Sequence, residues 1–172
     1  CGAADPADYT VNTSIQNMAA GADGTIWIYR QTECYSEDGT GGGTLSELVQ
    51  LDASGTQLRT ITPAAPQNET VYASLDSIFS DDQGYVYTYD YQNVNVYGPD
   101  GSLIFSKDSS DGFVQLCQLS PSEVGLISTS ADGKTAFKLF DTASKSFGKD
   151  TPVSDDARML YAGNDIYRYF YT

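Results

Sequence analysis

Histidine is missing from this 172-residue chain. Its absence removes Ser-His-Asp and Cys-His activation of a nucleophile, and every His-ligated metal site. Basic residues are few: 9 Lys and Arg stand against 23 Asp and Glu, for a net charge of −14. Such a chain repels a phosphate backbone, so nucleic acid is not expected as a partner. An anionic membrane surface is disfavoured for the same reason, and the acidity is read as serving solubility. No apolar run approaches the ~18 residues that a membrane-spanning helix needs. Helical periodicity is almost absent, and no long charge block occurs. With 40% apolar and 19% charged residues, this is the composition of an ordered domain. Carboxylate pairs stay open as chemistry, since glycoside hydrolysis needs only two acids.

What the chain does contain is strands. Short alternating runs of Val, Ile, Tyr, Phe and Thr are separated by Asp-Gly, Ser-Gly and Pro-Asp-Gly turns, the signature of hairpins. The hairpins group into units. The first spans 15–62, with strands "SIQNMAAG", "TIWIYRQ", "SELVQLD" and "TQLRTI". The second spans 75–107, with "SLDSIFS", "YVYTYDY", "VNVYG" and "SLIFS". The third spans 113–149, with "FVQLCQLS", "VGLISTS", "KTAFKLFD" and "KSFG". A fourth begins within 157–172 as "ARMLYAG" and "DIYRYFYT" and stops. Leu51, Tyr97 and Phe140 precede the third-to-fourth-strand turn, and Leu58, Ile104 and Phe147 follow it, at intervals of about 45 residues. Successive four-stranded antiparallel units of this length predict an all-β fold, a β-propeller with about three and a half blades present. Only "DYTVN" precedes the first unit, too little to complete the fourth. The chain is therefore expected to be the N-terminal part of a larger propeller, with residues 1–14 as a tether; the alternatives are a four-bladed closure with an irregular last blade and closure by a second copy.

Several features invite a chemical reading and are better explained by structure. The "GTGGG" run lacks a following Gly-Lys-Ser/Thr and a helix to open, so it is no phosphate loop. It is expected to be a surface loop, with Cys34–Thr44 lengthening the second-to-third-strand connection. Residues 63–72 likewise lengthen the link between the first two units. "SDDQGYVY" (Ser80–Tyr87) fits the Asp-box pattern Ser-x-Asp-x-Gly-x-x-aromatic, a structural hairpin in which Asp82 would bond the turn. Asp23, Asp52, Asp82, Asp100 and Asp132 all sit at turns, where Asx bonding to the backbone explains them. None lies in a loop that would enclose calcium. Cys34 and Cys117 fall in different units, so buried thiols are expected rather than a bridge between the two. The sequons at Asn12 and Asn68 would matter only in a eukaryotic secretory host. No cofactor is implied.

Cys1, followed by Gly2 and a small polar stretch, resembles the start of a mature bacterial lipoprotein, whose N-terminal Cys carries the acyl chains. The alternative is a boundary that happens to fall at a cysteine. If lipidated, the protein is extracytoplasmic and meets the membrane only through that lipid, at roughly 0.8 kcal/mol of affinity per buried CH₂. The phrases "ADGTIWIY", "LVQLDASGTQLRTI" and "VNVYGPDGSLIFS" resemble NHL-like propeller repeats. With the Cys-Gly start, they are similar to the N-terminal propeller region of gut Firmicutes extracellular solute-binding lipoproteins. That resemblance implies a non-catalytic surface module linked to ABC-type solute capture, and it carries over no site residue beyond Cys1.

Three functions follow. The first is a binding module whose loops recognise a carbohydrate or peptide through Tyr and Trp stacking. The second is an interaction platform for another surface protein. The third is a polysaccharide-degrading enzyme, against which no charged residue recurs at one repeat position. Tyr85, Tyr87, Tyr89 and Tyr91 alternate along one strand. Trp27 aligns with Tyr87 and Tyr29 with Tyr89, so these rings belong to a repeat position and are expected to pack between sheets. Tyr91, at the strand end, is the candidate ligand-binding ring.

Overall fold

The computed structural model describes residues 9–21, 24–36, 42–64, 75, 77–108, 113–130, 132–153, 157–162 and 165–170. Among them there is no helix, and every strand pairing is antiparallel. The first sheet holds β1 (Tyr9–Ala20), β2 (Ile26–Ser36), β3 (Gly42–Leu51) and β4 (Gln57–Ile61) in that order. The second holds β5 (Ser77–Ser80), β6 (Val86–Tyr89), β7 (Asn93–Tyr97) and β8 (Leu103–Asp108). The third runs β9 (Phe113–Ser120), β10 (Glu123–Thr129), β11 (Thr135–Asp141). Its fourth place is shared by β12 (Ser146–Phe147) and β13 (Thr151–Val153), which pair with opposite ends of β11. A hairpin of β14 (Ala157–Ala162) and β15 (Asp165–Phe170) follows. Among the described residues no sheet closes on itself.

One turn geometry recurs five times. In each, the first residue's N–H donates to the carbonyl four residues on. A glycine three residues on, with φ between 79° and 85°, donates back to the first residue's carbonyl. The first residues are Gly21, Asp52, Asp81, Gly98 and Ser130, and the glycines are Gly24, Gly55, Gly84, Gly101 and Gly133. This is the three-residue hairpin loop that ends in a left-handed residue, the position glycine takes without a Cβ penalty. The turn fixes register, and register fixes which side chains face inward. The first two sheets also share a bulge after the third strand. Leu51 pairs Gln57 while Gln50 pairs Arg59, and Tyr97 pairs Leu103 while Val96 pairs Phe105. Leu58 and Ile104 are the extra residues. In the third sheet Phe140 pairs Phe147 directly, so the position matched by sequence spacing is not structurally the same.

The sheets pack face to face. Trp27, Tyr29, Leu48 and Ile61 of the first meet Ile78, Val86 and Tyr97 of the second. On the other side of the second sheet, Tyr87, Tyr89, Val94 and Val96 meet Val114, Leu116, Val124, Leu126 and Phe140 of the third. The second sheet is thus covered on both faces, and every residue of β6 and β7 is buried. That explains why "YVYTYDY" lacks the apolar–polar alternation of a half-solvated strand. Burying each of the large apolar side chains among them contributes about 1.5–3 kcal/mol. Tyr85, partly buried, packs against the same cluster.

Three sequence expectations need correction. Strand β1 begins at Tyr9, inside the stretch read as a tether (1–14), and pairs through Ser36. Gly42 and Gly43 lie in β3, paired with Tyr35 and Cys34, rather than in a surface loop. A Cβ at Gly42 would stand 2.6 Å from the Cys34 carbonyl oxygen, so the run supplies a close backbone approach. Cys34 is disulfide-bonded, whereas Cys117 is not. Cys117 is buried, with Sγ 3.4 Å from the Gly125 carbonyl oxygen. Cys1, Asn68 and Asp23, as well as most of the 63–72 link, lie outside the described residues.

Candidate functional site

Two clusters carry polar chemistry, at opposite ends of the second sheet. The first is the β5–β6 turn. Asp81 is fully buried. Its Oδ1 accepts from the N–H of Gln83 (3.0 Å) and of Tyr85 (2.9 Å), and its Oδ2 accepts from the Tyr87 hydroxyl at 2.8 Å. Burial raises the Asp81 carboxyl above its ordinary 3.8, against the lowering effect of the Tyr87 and backbone bonds. Burial, then the bond to Asp81, pushes the Tyr87 phenol far up. Displaced pKa values often mark active sites. Here both groups are sealed from solvent and their bonds are directed at each other and at the turn, so the pair is architectural. The Asp-box reading is corrected in detail: Asp82 is exposed, and Asp81 holds the turn. The Ser80 hydroxyl, buried, has no hydrogen-bond partner among the described residues.

The remaining turn aspartates mostly behave as expected. Asp52 accepts from the N–H of Ser54 and Thr56, and Asp100 from that of Ser102. Asp132 instead accepts from the Ser130 hydroxyl and pairs with the Lys134 ammonium.

Polar ties also join neighbouring sheets. The Arg59 guanidinium donates to Gln50 Oε1 (2.7 Å), to the Gly84 carbonyl (2.8 Å) and to the Pro99 carbonyl, and it lies 4.9 Å over the Trp27 ring. One side chain therefore binds the first sheet to two turns of the second. Gln118 Nε2 donates to the Ser80 carbonyl, and the Asp82 N–H to that of Pro121, joining the second sheet to the third. Sequence reasoning missed Arg59. The available signal was a basic residue, among only nine, at an inward-facing strand position opposite Gln50.

The second cluster is the β6–β7 turn, where Tyr91 sits. Asp90 is buried, and its Oδ1 accepts from the N–H of Gln92 (3.0 Å) and of Asn93 (2.6 Å). The Asp90 N–H donates to the Asn93 carbonyl, closing a two-residue hairpin turn. Tyr91 has φ of 65°, and Gln92 does not share the positive sign. Positive φ at the first central residue alone is the pattern of a II′ turn, which ordinarily places glycine there. A bulky residue in that region costs on the order of 1–3 kcal/mol. The Tyr91 ring is nonetheless 59% exposed, against 8% for Tyr89. The two rings lie 5.6 Å apart with planes inclined at 53°. The anchored turn thus presents an outward aromatic face backed by a buried one. The structure separates the four tyrosines as the repeat alignment predicts: three within the packing, and Tyr91 at the surface.

No family model matches the chain, and no curated protein matches it. Among solved structures, it is similar to a protein of unknown function from Bacteroides caccae, at 12% identity over 86% of this chain and 67% of the other, with a TM-score of 0.40.

Proposed function

We propose that the chain forms successive blades of a β-propeller and acts by binding, with Tyr91 as a stacking ring for a sugar or a peptide side chain. Support for the propeller comes from the repetition of one sheet plan. Each of the three sheets has four strand places in chain order, and each meets the next face to face. Their first strands approach one another in turn, β1 with β5, β5 with β9 and β9 with β14, as strands nearest a common axis would. The observation that carries the binding reading is Tyr91 itself. The turn would be less strained with glycine, yet the position holds a largely exposed ring backed by Tyr89. Aromatic faces at a rigid turn suit pyranose rings and apolar peptide side chains. Solute capture at the bacterial surface belongs to the same reading.

The test is a glycan and peptide array probed with the wild-type chain and with Tyr91→Gly. Glycine fits the turn, so the variant should be as stable as the parent or more so, and it should lose the ligand. Equal binding by both proteins would sink the assignment of Tyr91.

A further inference from the structure

The face that the second sheet turns to the first changes character along its length. Ile78, Val86 and Tyr97 join the apolar cluster around Trp27. Beyond them, toward the β6–β7 turn, the same face of β6 and β7 is polar: Thr88 lies opposite Asn95, then Asp90 opposite Asn93. These four are 0%, 3%, 8% and 6% exposed in that order, so exposure rises toward the turn. The first sheet answers with polar groups of its own. Gln31 Nε2 donates to the Tyr29 hydroxyl (3.1 Å) and to the Ser46 hydroxyl (3.4 Å). Tyr29 and Asp90 both act electrostatically on the Tyr97 phenol, so the two sheets bring these groups to one place. Strand β2 continues to Ser36, whereas β6, with Tyr89 matched to Tyr29, ends at Tyr89. Gln31, Glu33, Ser46 and Thr44 therefore form a polar wall beside the turn, on the same face as Tyr29.

We infer that this polar slot, with Asp90 and Asn93 at its mouth and Asn95 at its back, takes the hydroxyl groups of a neutral saccharide. The inference rests on the binding reading of the same turn and narrows its ligand from sugar or peptide to sugar. Two acceptors in the slot are uncommitted. Asn95 Oδ1 is buried with no hydrogen-bond partner among the described residues, and both bonds to Asp90 fall on Oδ1, which leaves Oδ2. Buried polar atoms are nearly always paired, so an orphan beside a built polar cluster points to a partner from outside the chain. The Asn93 side-chain amide takes no part in the bonds that close the turn. The two asparagines bring donors as well as acceptors. A metal ion would engage the oxygens and strand the amide N–H groups, whereas a hydroxyl both donates and accepts. An extended peptide would need free backbone groups, and the turn spends its own on Asp90 and Asn93. An anionic ligand would meet the carboxylates of Asp90 and Glu33.

Isothermal titration of the purified chain tests this, with hexasaccharides of glucose, mannose, galactose and xylose as probes and a galacturonate hexasaccharide and calcium chloride as opposing ones. A neutral hexasaccharide is expected to bind, and Asn93→Ala and Asn95→Leu should each weaken it by about tenfold or more. Asn95→Leu exchanges an unpaired buried amide for an apolar group of similar size, so its urea midpoint should not fall. Binding of none of the neutral probes, a preference for galacturonate or calcium, or neutral-sugar binding that both variants retain overturns the inference. Tyr91→Gly separates it from the reading it rests on. Loss of sugar binding in that variant alone supports the ring and overturns the slot, whereas loss in the two asparagine variants alone supports the slot and overturns the ring.

Discussion

Replacing Tyr87 by Phe isolates one hydrogen bond. The Tyr87 ring is buried and meets Phe140 edge-on at 5.4 Å, contacts that a phenyl ring keeps. What disappears is the hydroxyl that donates to Asp81 Oδ2 at 2.8 Å. Asp81 has no solvent to replace it and retains only the bonds to Gln83 and Tyr85 on its other oxygen. Losing one donor to a buried charged acceptor costs about 1.5–3 kcal/mol. For a chain of this size the melting temperature should fall by roughly 2–4 °C for each kcal/mol. The cost should also depend on pH. The Tyr87 bond lowers the Asp81 pKa, so removing it moves an already raised value higher. A carboxyl whose folded pKa is raised contributes most below its unfolded 3.8 and loses that contribution as pH rises through the folded value. The variant therefore suffers most at neutral pH, and the gap should narrow below 3.8, where both proteins hold a neutral acid. Urea unfolding of both proteins at pH 7 and in acid measures this. A difference under about 0.5 kcal/mol at pH 7, or one that does not change with pH, would refute the argument.

Other substitutions probe the remaining structural assignments. Arg59→Lys keeps the charge but loses the planar fork that reaches Gln50, Gly84 and Pro99, so it should cost about 1–3 kcal/mol in urea unfolding. Gly125→Ala puts a methyl into the Phe137 ring and should destabilise by about 1–3 kcal/mol, seen as a lower urea midpoint. Asp82→Ala should change stability by less than about 0.5 kcal/mol, because the tie to Pro121 uses its backbone N–H.

The hairpins were legible because each turn carries its own chemistry: a glycine at positive φ, with Asp, Asn or Ser nearby. The packing role of Tyr85, Tyr87 and Tyr89 was legible because the alternation recurs as Trp27 and Tyr29 in the first unit. The length of sheet one was not. Residues 9–16 and 42–46 are interrupted by Ser, Asn, Gln and Gly, which weaken the strand signal of the Thr and aliphatic residues between them, and pairing with 31–36 makes them a sheet. The role of Arg59 was hidden for a related reason: it depends on which sheet lies beside which.

The choice between Asp81 and Asp82 shows where local pattern ends. In the five equivalent turns, a carboxylate three residues before the glycine can reach the N–H groups two and four residues on. Asp52 and Asp81 both do so, while Asp82, one step later, projects to solvent. Counting back from Gly84 would have selected Asp81. The energetics still could not be read from the turn. At Asp52, which is half-buried, the Ser54 hydroxyl and then the Thr56 N–H lower the pKa below 3.8. At Asp81, with the same two backbone bonds, burial outweighs them and raises it. The signs therefore oppose. Asp52 stabilises above its unfolded 3.8 and loses that contribution as pH falls through its folded value, whereas Asp81 stabilises in acid and loses its contribution as pH rises. Asp52→Asn should therefore be less stable than wild type at pH 7 and converge with it in acid. Asp81→Asn should match or exceed wild type at pH 7 and fall behind as Asp81 takes up its proton. Parallel pH profiles for the two variants would mean that the shared turn governs both carboxylates and that burial between the sheets does not.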